Sequence, residues 1–238
     1  MYRLQIKAKA KDSLGRNIFG KRWMLSLAVA LVGGLIMTVF KSIGDQINYQ
    51  VQIRKIVYLS QSGDYTALKQ MTAGPGVATI LCYILAAIVW IFVTGAIMYG
   101  LAKFFLDNSR SAEDNKFGKL FSGFTEGYGK NIGLFILSNI FIFLWTLLLI
   151  VPGIIANYAY KMVWFIRNDH PEYSVWECIK ASRKMMHGHK MDYFVLKLTF
   201  IGWICIGILT CGIGMLWVAP YIGQAEVEFY ESIKDNQI

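Results

Sequence analysis

Apolar residues gather into long runs without a single charge: Met24–Phe40, Gly76–Leu101, Asn131–Tyr160 and Leu198–Ala225. A helix needs about 20 apolar residues to cross roughly 30 Å of hydrocarbon. The runs 131–160 and 198–225 exceed one crossing, so each must turn. Both carry the residues to do so, Val151-Pro152-Gly153 in one and Thr210-Cys211-Gly212-Ile213-Gly214 in the other. Proline lacks an amide donor, and glycine admits backbone conformations that end helices. The pattern predicts an all-α, polytopic integral membrane protein, a single membrane domain over 1–238 with about six spans. They fall near 23–43, 77–106, 132–151, 154–168, 192–210 and 213–230, paired as three hairpins; Lys161 and Arg167 interrupt the fourth.

Each hairpin is preceded by an amphipathic stretch. In 1–22, Tyr2, Ile6, Ala10 and Leu14 recur every four residues and lead to Gly15-Arg16-Asn17. In 107–131, Phe117, Leu120, Phe121, Phe124 and Tyr128 follow α-helical spacing and lead to Gly129-Lys130-Asn131. In 169–191, Tyr173, Trp176, Ile179 and Met186 form the stripe, with Lys180, Arg183 and Lys184 nearby, ahead of Gly188-His189-Lys190. Such helices lie in the membrane interface. Glycine at each junction lets the chain turn into the bilayer, and the cation holds that turn at head-group level. Arg16, Lys130 and Lys190 are therefore the expected lipid head-group contacts. The segment 44–76 is the one sizeable external loop, with Asp64 as a helix N-cap before Tyr65–Met71. Residues 231–238 form a tail.

Composition agrees with a membrane location. Of 238 residues, 55% are hydrophobic and 16% charged, where a soluble domain carries about 25% charged. The net charge of +9 is a matter of topology rather than of nucleic-acid binding. Before the first span stand Arg3, Lys7, Lys9, Lys11, Arg16, Lys21 and Arg22 against Asp12, whereas the loop 44–76 holds only Arg54, Lys55 and Lys69. Positive segments resist translocation, so both termini are expected in the cytoplasm, facing anionic lipid. The first apolar run is long and lacks a small-x-small cleavage site, so it reads as a retained span. Cys82, Cys178, Cys205 and Cys211 have neither metal nor redox spacing and predict no disulfide.

Candidate chemistry is sparse. There is no P-loop, no Gly-x-Ser-x-Gly elbow and no His-Glu-x-x-His, and His187 and His189 have no partner spaced to complete a metal shell. No catalytic, cofactor or metal residue is assigned. Ionisable groups inside spans are costly and mark function or structural pairing. Lys161 is the foremost, with Asn157 four residues before it and Gln224, Glu226 and Glu228 on the last span as partners. Asn157, Lys161, Gln224 and Glu226 make the candidate intramembrane polar site.

The C-terminal half carries recognisable strings: Ala181-Ser182, Met186-x-Gly188-x-Lys190, Tyr193-Phe194 through Gly202-Trp203, Gly212-x-Gly214-x-Leu216-Trp217, Pro220-Tyr221 and Phe229-Tyr230. They resemble the bacterial membrane proteins of domain-of-unknown-function family 975. Ile6-Lys7, Ala10, Leu14 and Pro152-Gly153-Ile154 are similar as well. The resemblance implies a bacterial plasma-membrane protein and transfers no functional residue. The expected role is non-enzymatic, scaffolding or modulating a membrane protein partner or the local lipid. The alternatives are a transporter of small solutes or amphiphiles, or a subunit of one, and then a lipid-modifying enzyme.

Overall fold

The structure, a computed structural model, describes residues 2–15, 23–28, 77–110, 117–210, 212 and 214–234, with positions 49, 50, 53, 54, 57 and 61 between them. The regular elements among the described residues are helices: α1 (Tyr2–Leu14), α2 (Val77–Arg110), a 3-10 helix (Phe117–Phe124), α3 (Tyr128–Leu148), α4 (Ile150–Ala159), α5 (Val163–Asp169), α6 (Val175–Met185), α7 (Lys190–Leu198), α8 (Ile201–Leu209) and α9 (Met215–Lys234). Two compact units are present, one of 34–93 and one of 1–33 with 94–238. Most of the expected first span and of the loop 44–76 lies outside the described residues, as does Arg16. In the 34–93 unit, helical residues Ile80, Leu81, Ile84, Leu85 and Ile88 are all exposed. The larger unit holds α1, the C-terminal part of α2, the 3-10 helix and α3 to α9.

Among the described residues, three stretches are long and apolar enough to cross a bilayer: Ala87–Arg110, Tyr128–Leu148 and Lys190–Leu209. They coincide with the expected second, third and fifth spans. The expected fourth span is divided: α4 ends at Ala159, and bonds from Lys161 N to Tyr158 O (3.3 Å) and Val163 N to Tyr160 O (3.4 Å) tighten a turn before α5. The last, α9, has 20 residues and Pro220 within it, and carries Gln224, Glu226, Glu228 and Glu231.

The turn expected at Pro152-Gly153 falls instead at Leu149, which is extended (φ −162°, ψ 147°) and both ends α3 and begins α4. Pro152 is then the third residue of α4, where the amide has no intrahelical acceptor to lose. Gly153 has a different task. A Cβ there would lie 2.8 Å from Thr146 Cα, so the glycine lets α4 return closely along α3. The second expected turn is where the sequence puts it: Gly212 has φ +86° and its amide reaches Gly207 O at 3.0 Å.

The three amphipathic stretches are packed into the fold to different degrees. On α1, Ile6, Ala10 and Leu14 are buried, and the helix packs on α9. On α6 and at its C-cap, Ile179 and Met186 are buried and Trp176 is exposed, and the helix packs on α3 and α5. A capping box between Ser174 and Glu177 starts it. The middle stretch departs from α-helical spacing. As a 3-10 helix its residues repeat every three, so Leu120 and Gly123 turn inward while Phe121 and Phe124 share an exposed edge. Its backbone lies directly on α2: a Cβ at Gly100 would stand 1.9 Å from Leu120 O, and one at Gly123 2.0 Å from Ala96 O.

The core of this unit is uneven. Phe104, Leu106, Leu120, Met162, Ile166 and Phe229 are sealed, yet Leu147 (73%), Ile150 (72%) and Leu209 (82%) are mostly exposed. Contiguous bare leucine and isoleucine would be a liability in water; in hydrocarbon they are solvated.

Candidate functional site

Polar side chains converge on α9 from two sides. Successive helix positions are about 100° apart, so Gln224 and Glu228 share a face and Glu226 points away from both. On one side, Glu226 Oε1 accepts the Tyr193 hydroxyl at 2.8 Å, is bonded by Lys197, and lies 3.6 Å from Lys161 Nζ. Lys161 reaches it from the turn between α4 and α5; Tyr193 and Lys197 come from α7, four residues apart on one face.

The other side is drier. Asn108, Gln224 and Glu228 are 3%, 0% and 1% exposed. Asn108 Nδ2 donates to Gln224 Oε1 at 3.0 Å, and Gln224 Nε2 donates to Phe105 O at 3.4 Å and to Glu228 Oε1 at 3.3 Å. Glu228 Oε1 also accepts Ser13 Oγ at 2.7 Å and Ser109 Oγ at 2.6 Å. Its Oε2 lies 3.3 Å from Lys9 Nζ. One buried carboxylate thereby joins α1, α2 and α9, and the hydrogen bonds offset the desolvation of its charge.

A third cluster closes the C-terminal ends of α2, α5 and α9. Arg110 holds Asp169 through two parallel bonds, Nη1 to Oδ1 at 2.6 Å and Nη2 to Oδ2 at 2.8 Å, the geometry that makes guanidinium–carboxylate pairs strong. Asp169 Oδ2 also accepts Tyr230 Oη at 2.9 Å and Lys234 Nζ at 2.5 Å, and Glu231 Oε1 accepts Arg110 Nε at 2.8 Å. Burial works against ionising Asp169, but the bonds from Arg110, Lys234 and Tyr230 outweigh it and hold its carboxyl down at about 2.

The structure therefore brings together Lys161 and Glu226 of the candidate polar residues, and separates Gln224 from them. Asn157 is exposed on α4 and is in neither cluster. The turn at Tyr160–Met162 breaks the helical register that would have put it on a face with Lys161. Lys130 Nζ donates to Pro171 O at 3.3 Å and Glu172 O at 3.4 Å, and Lys190 lies with Arg183 and Trp145 around a cavity of about 240 Å³. Among the described residues no three His, Cys, Asp or Glu side chains gather as a metal shell would require. The sequence pattern does not single out Asn108 and Asp169 as members of these clusters. For the dry side, the four-residue spacing of Gln224 and Glu228 is the one available signal.

Residues 147–237 match a family described as protein of unknown function, DUF975, and this part of the chain carries that domain. The similar strings around Ile6-Lys7 lie outside the matched segment. No curated protein and no solved structure matches the chain.

Proposed function

We propose that the chain is a bacterial plasma-membrane protein of six spans in three hairpins, both termini cytoplasmic, that acts without catalysis as a scaffold or modulator of a membrane partner or of the adjoining lipid. The reading rests chiefly on how the charges are used. Glu226, Glu228 and Asp169 are each engaged by cations or hydroxyls of other helices, so these acids serve as joints between elements. The exposed apolar ends around Leu147–Ile150 and Leu209 and the basic α1 and α6 support a body seated in the bilayer with one cationic side. Purification of the tagged protein in native-lipid discs, followed by mass spectrometry of everything retained, tests the role. A second polypeptide at fixed stoichiometry, or a defined lipid, is the expected result; turnover of a retained small molecule contradicts it.

One observation favours a second reading, transport of a small solute or amphiphile. The α4–α5 pair is a discontinuous helix with a charged residue, Lys161, at its break, and broken helices mark midplane sites in transporters. Lys161→Met separates the readings: a scaffold keeps its assembly and phenotype, whereas a transporter loses flux.

A further inference from the structure

Beside these joints lies a buried charge with no ion pair among the described residues. Arg167 of α5 is 3% exposed. A guanidinium has five N–H donors, yet the hydrogen bond that Arg167 makes among the described residues is Nη1 to Pro171 O at 2.9 Å. Its Nε is buried without a partner among those residues. The Tyr99 ring lies under it, 5.8 Å from the guanidinium carbon. Glu126 is close enough to feel its charge, but that acid is already taken. Lys103 Nζ bonds both of its oxygens at 2.5 and 2.6 Å, and Tyr99 Oη donates at 2.9 Å. Burial disfavours the Glu126 carboxylate, and those bonds still hold its carboxyl below the usual range. Its charge is thus committed to Lys103. A buried cation left in this condition is expensive, unless something anionic joins it.

The space beside Arg167 suits an anion. A cavity of about 570 Å³ is lined by Tyr99, Glu126, Gly127, Lys130, Arg167 and Pro171 among others. Its floor is the N-terminus of α3, 21 residues long, whose N-cap is Gly127 in the left-handed region (φ 64°) with no side-chain cap. The first intrahelical bond is Asn131 N to Gly127 O at 3.1 Å, so the amides of Gly129 and Lys130 are left at the open end, where the helix dipole favours negative charge. Gly127 makes room for the guanidinium: a Cβ there would stand 2.3 Å from Arg167 Nη2. Lys130 sits over the opening on two long bonds to carbonyls, 3.3 and 3.4 Å, from which its ammonium can swing to a ligand. Phe124 and Tyr128 stack at 5.8 Å next to it.

We infer that this cavity binds a phosphate group, held by the Arg167 guanidinium, the Lys130 ammonium and the first amides of α3. The planar fork of arginine and the oriented amides match tetrahedral oxyanions. Placing that phosphate on a phospholipid of the cytoplasmic leaflet rests on the proposed membrane topology; the phosphate chemistry does not.

The test uses the full chain, purified in a neutral detergent, with two probes. Phosphatidylglycerol is compared with diacylglycerol of the same chains by native mass spectrometry, and inorganic phosphate is titrated by calorimetry. The wild type is expected to retain one equivalent of phosphatidylglycerol in preference to diacylglycerol. Arg167→Gln weakens retention about tenfold or more, Lys130→Gln weakens it less, and Lys184→Gln, an exposed lysine elsewhere, leaves it unchanged. If inorganic phosphate also binds and competes, the site takes free phosphate; if it does neither, the ligand is the lipid head group. Equal retention of diacylglycerol with no binding of inorganic phosphate overturns the inference. So does a loss from Lys184→Gln as large as from Lys130→Gln. Should Arg167→Gln fail to fold, Arg167→Lys, which keeps the charge and loses the fork, and the exposed Lys130→Gln decide between the same outcomes. Calorimetry with phosphate is blind to span number, so a wrong topology and an absent phosphate site give different results.

Discussion

Gln224 and Glu226 stand two residues apart on α9 and belong to different clusters: Gln224 receives Asn108 Nδ2 at 3.0 Å, whereas Glu226 receives the Tyr193 hydroxyl at 2.8 Å. The helix is a polar spine with a dry side toward α1 and α2 and a wetter side toward α7 and the α4–α5 turn. Stability should divide along it.

Loss of Glu228 should be severe. Glu228→Ala strips the acceptor from Ser13, Ser109 and Gln224 at a site 1% exposed. Each buried group left unsatisfied costs about 1–3 kcal/mol, so about 3 kcal/mol or more is expected. Glu228→Gln keeps an acceptor and should cost less than half as much. Denaturant titration in detergent checks both.

On the opposite side, Lys161→Met should cost less than about 1 kcal/mol, because the lysine is 40% exposed and its partner keeps Lys197. Combined with Gln224→Leu, the two effects should add, as they do for sites without shared partners. A coupling above about 0.5 kcal/mol in a double-mutant cycle would show the clusters to be one.

Glycines offer a contrast in packing. Gly100→Ala and Gly123→Ala place a methyl 1.9 and 2.0 Å from backbone oxygens, and relief requires moving the 3-10 helix off α2. Each should destabilise by about 2–3 kcal/mol or prevent folding. Gly129→Ala meets open space within α3 and should be neutral or gain up to about 1 kcal/mol. Thermal unfolding midpoints distinguish the two classes.

Acid should loosen the α2–α5–α9 joint late. The Asp169 carboxyl is lowered from 3.8 to about 2, so its contribution is whole above the unfolded value and is lost as pH falls from about 4 through 2. Asp169→Asn should remove the part of the stability profile, of order 1–2 kcal/mol, that falls in this window, and leave a flatter curve there. An unchanged acid limb in the variant would contradict the assignment.

Much of the helical layout was legible in the sequence because hydrocarbon-length runs leave few options. The stretches Ala87–Arg110, Tyr128–Leu148 and Lys190–Leu209 overlap the charge-free runs 76–101, 131–160 and 198–225 and extend past them to flanking charges such as Lys103, Lys130 and Lys197. The buried face of α1 was equally plain from Ile6, Ala10 and Leu14. What escaped was decided by local backbone choices that periodicity does not encode. Leu149, an ordinary apolar residue, makes the turn while Pro152 is absorbed into the first turn of α4. The stretch at Phe117 reads as α-helical, but close approach at Gly100 and Gly123 selects the 3-10 form and turns Phe121 outward. The polar site was legible by type and not by grouping. Glu226 and Lys161 meet because a turn frees Lys161 from helical register, and Gln224 departs because two residues along α9 span about 200°. Arg167 read as an interruption of a span, and its burial beside an uncapped helix end depended on three separate segments.

The most direct measurement of the central claim, a polytopic protein with its basic stretches in the cytoplasm, is thiol accessibility in intact cells. With Cys82, Cys178, Cys205 and Cys211 replaced, single cysteines are placed by Gly63→Cys in the segment 44–76, expected outside the cell, and by Gly118→Cys on the exposed side of the 3-10 helix. An impermeant reagent should label the first in intact cells and the second only after lysis. Labelling of Gly118→Cys in intact cells, with Gly63→Cys protected, would contradict the account.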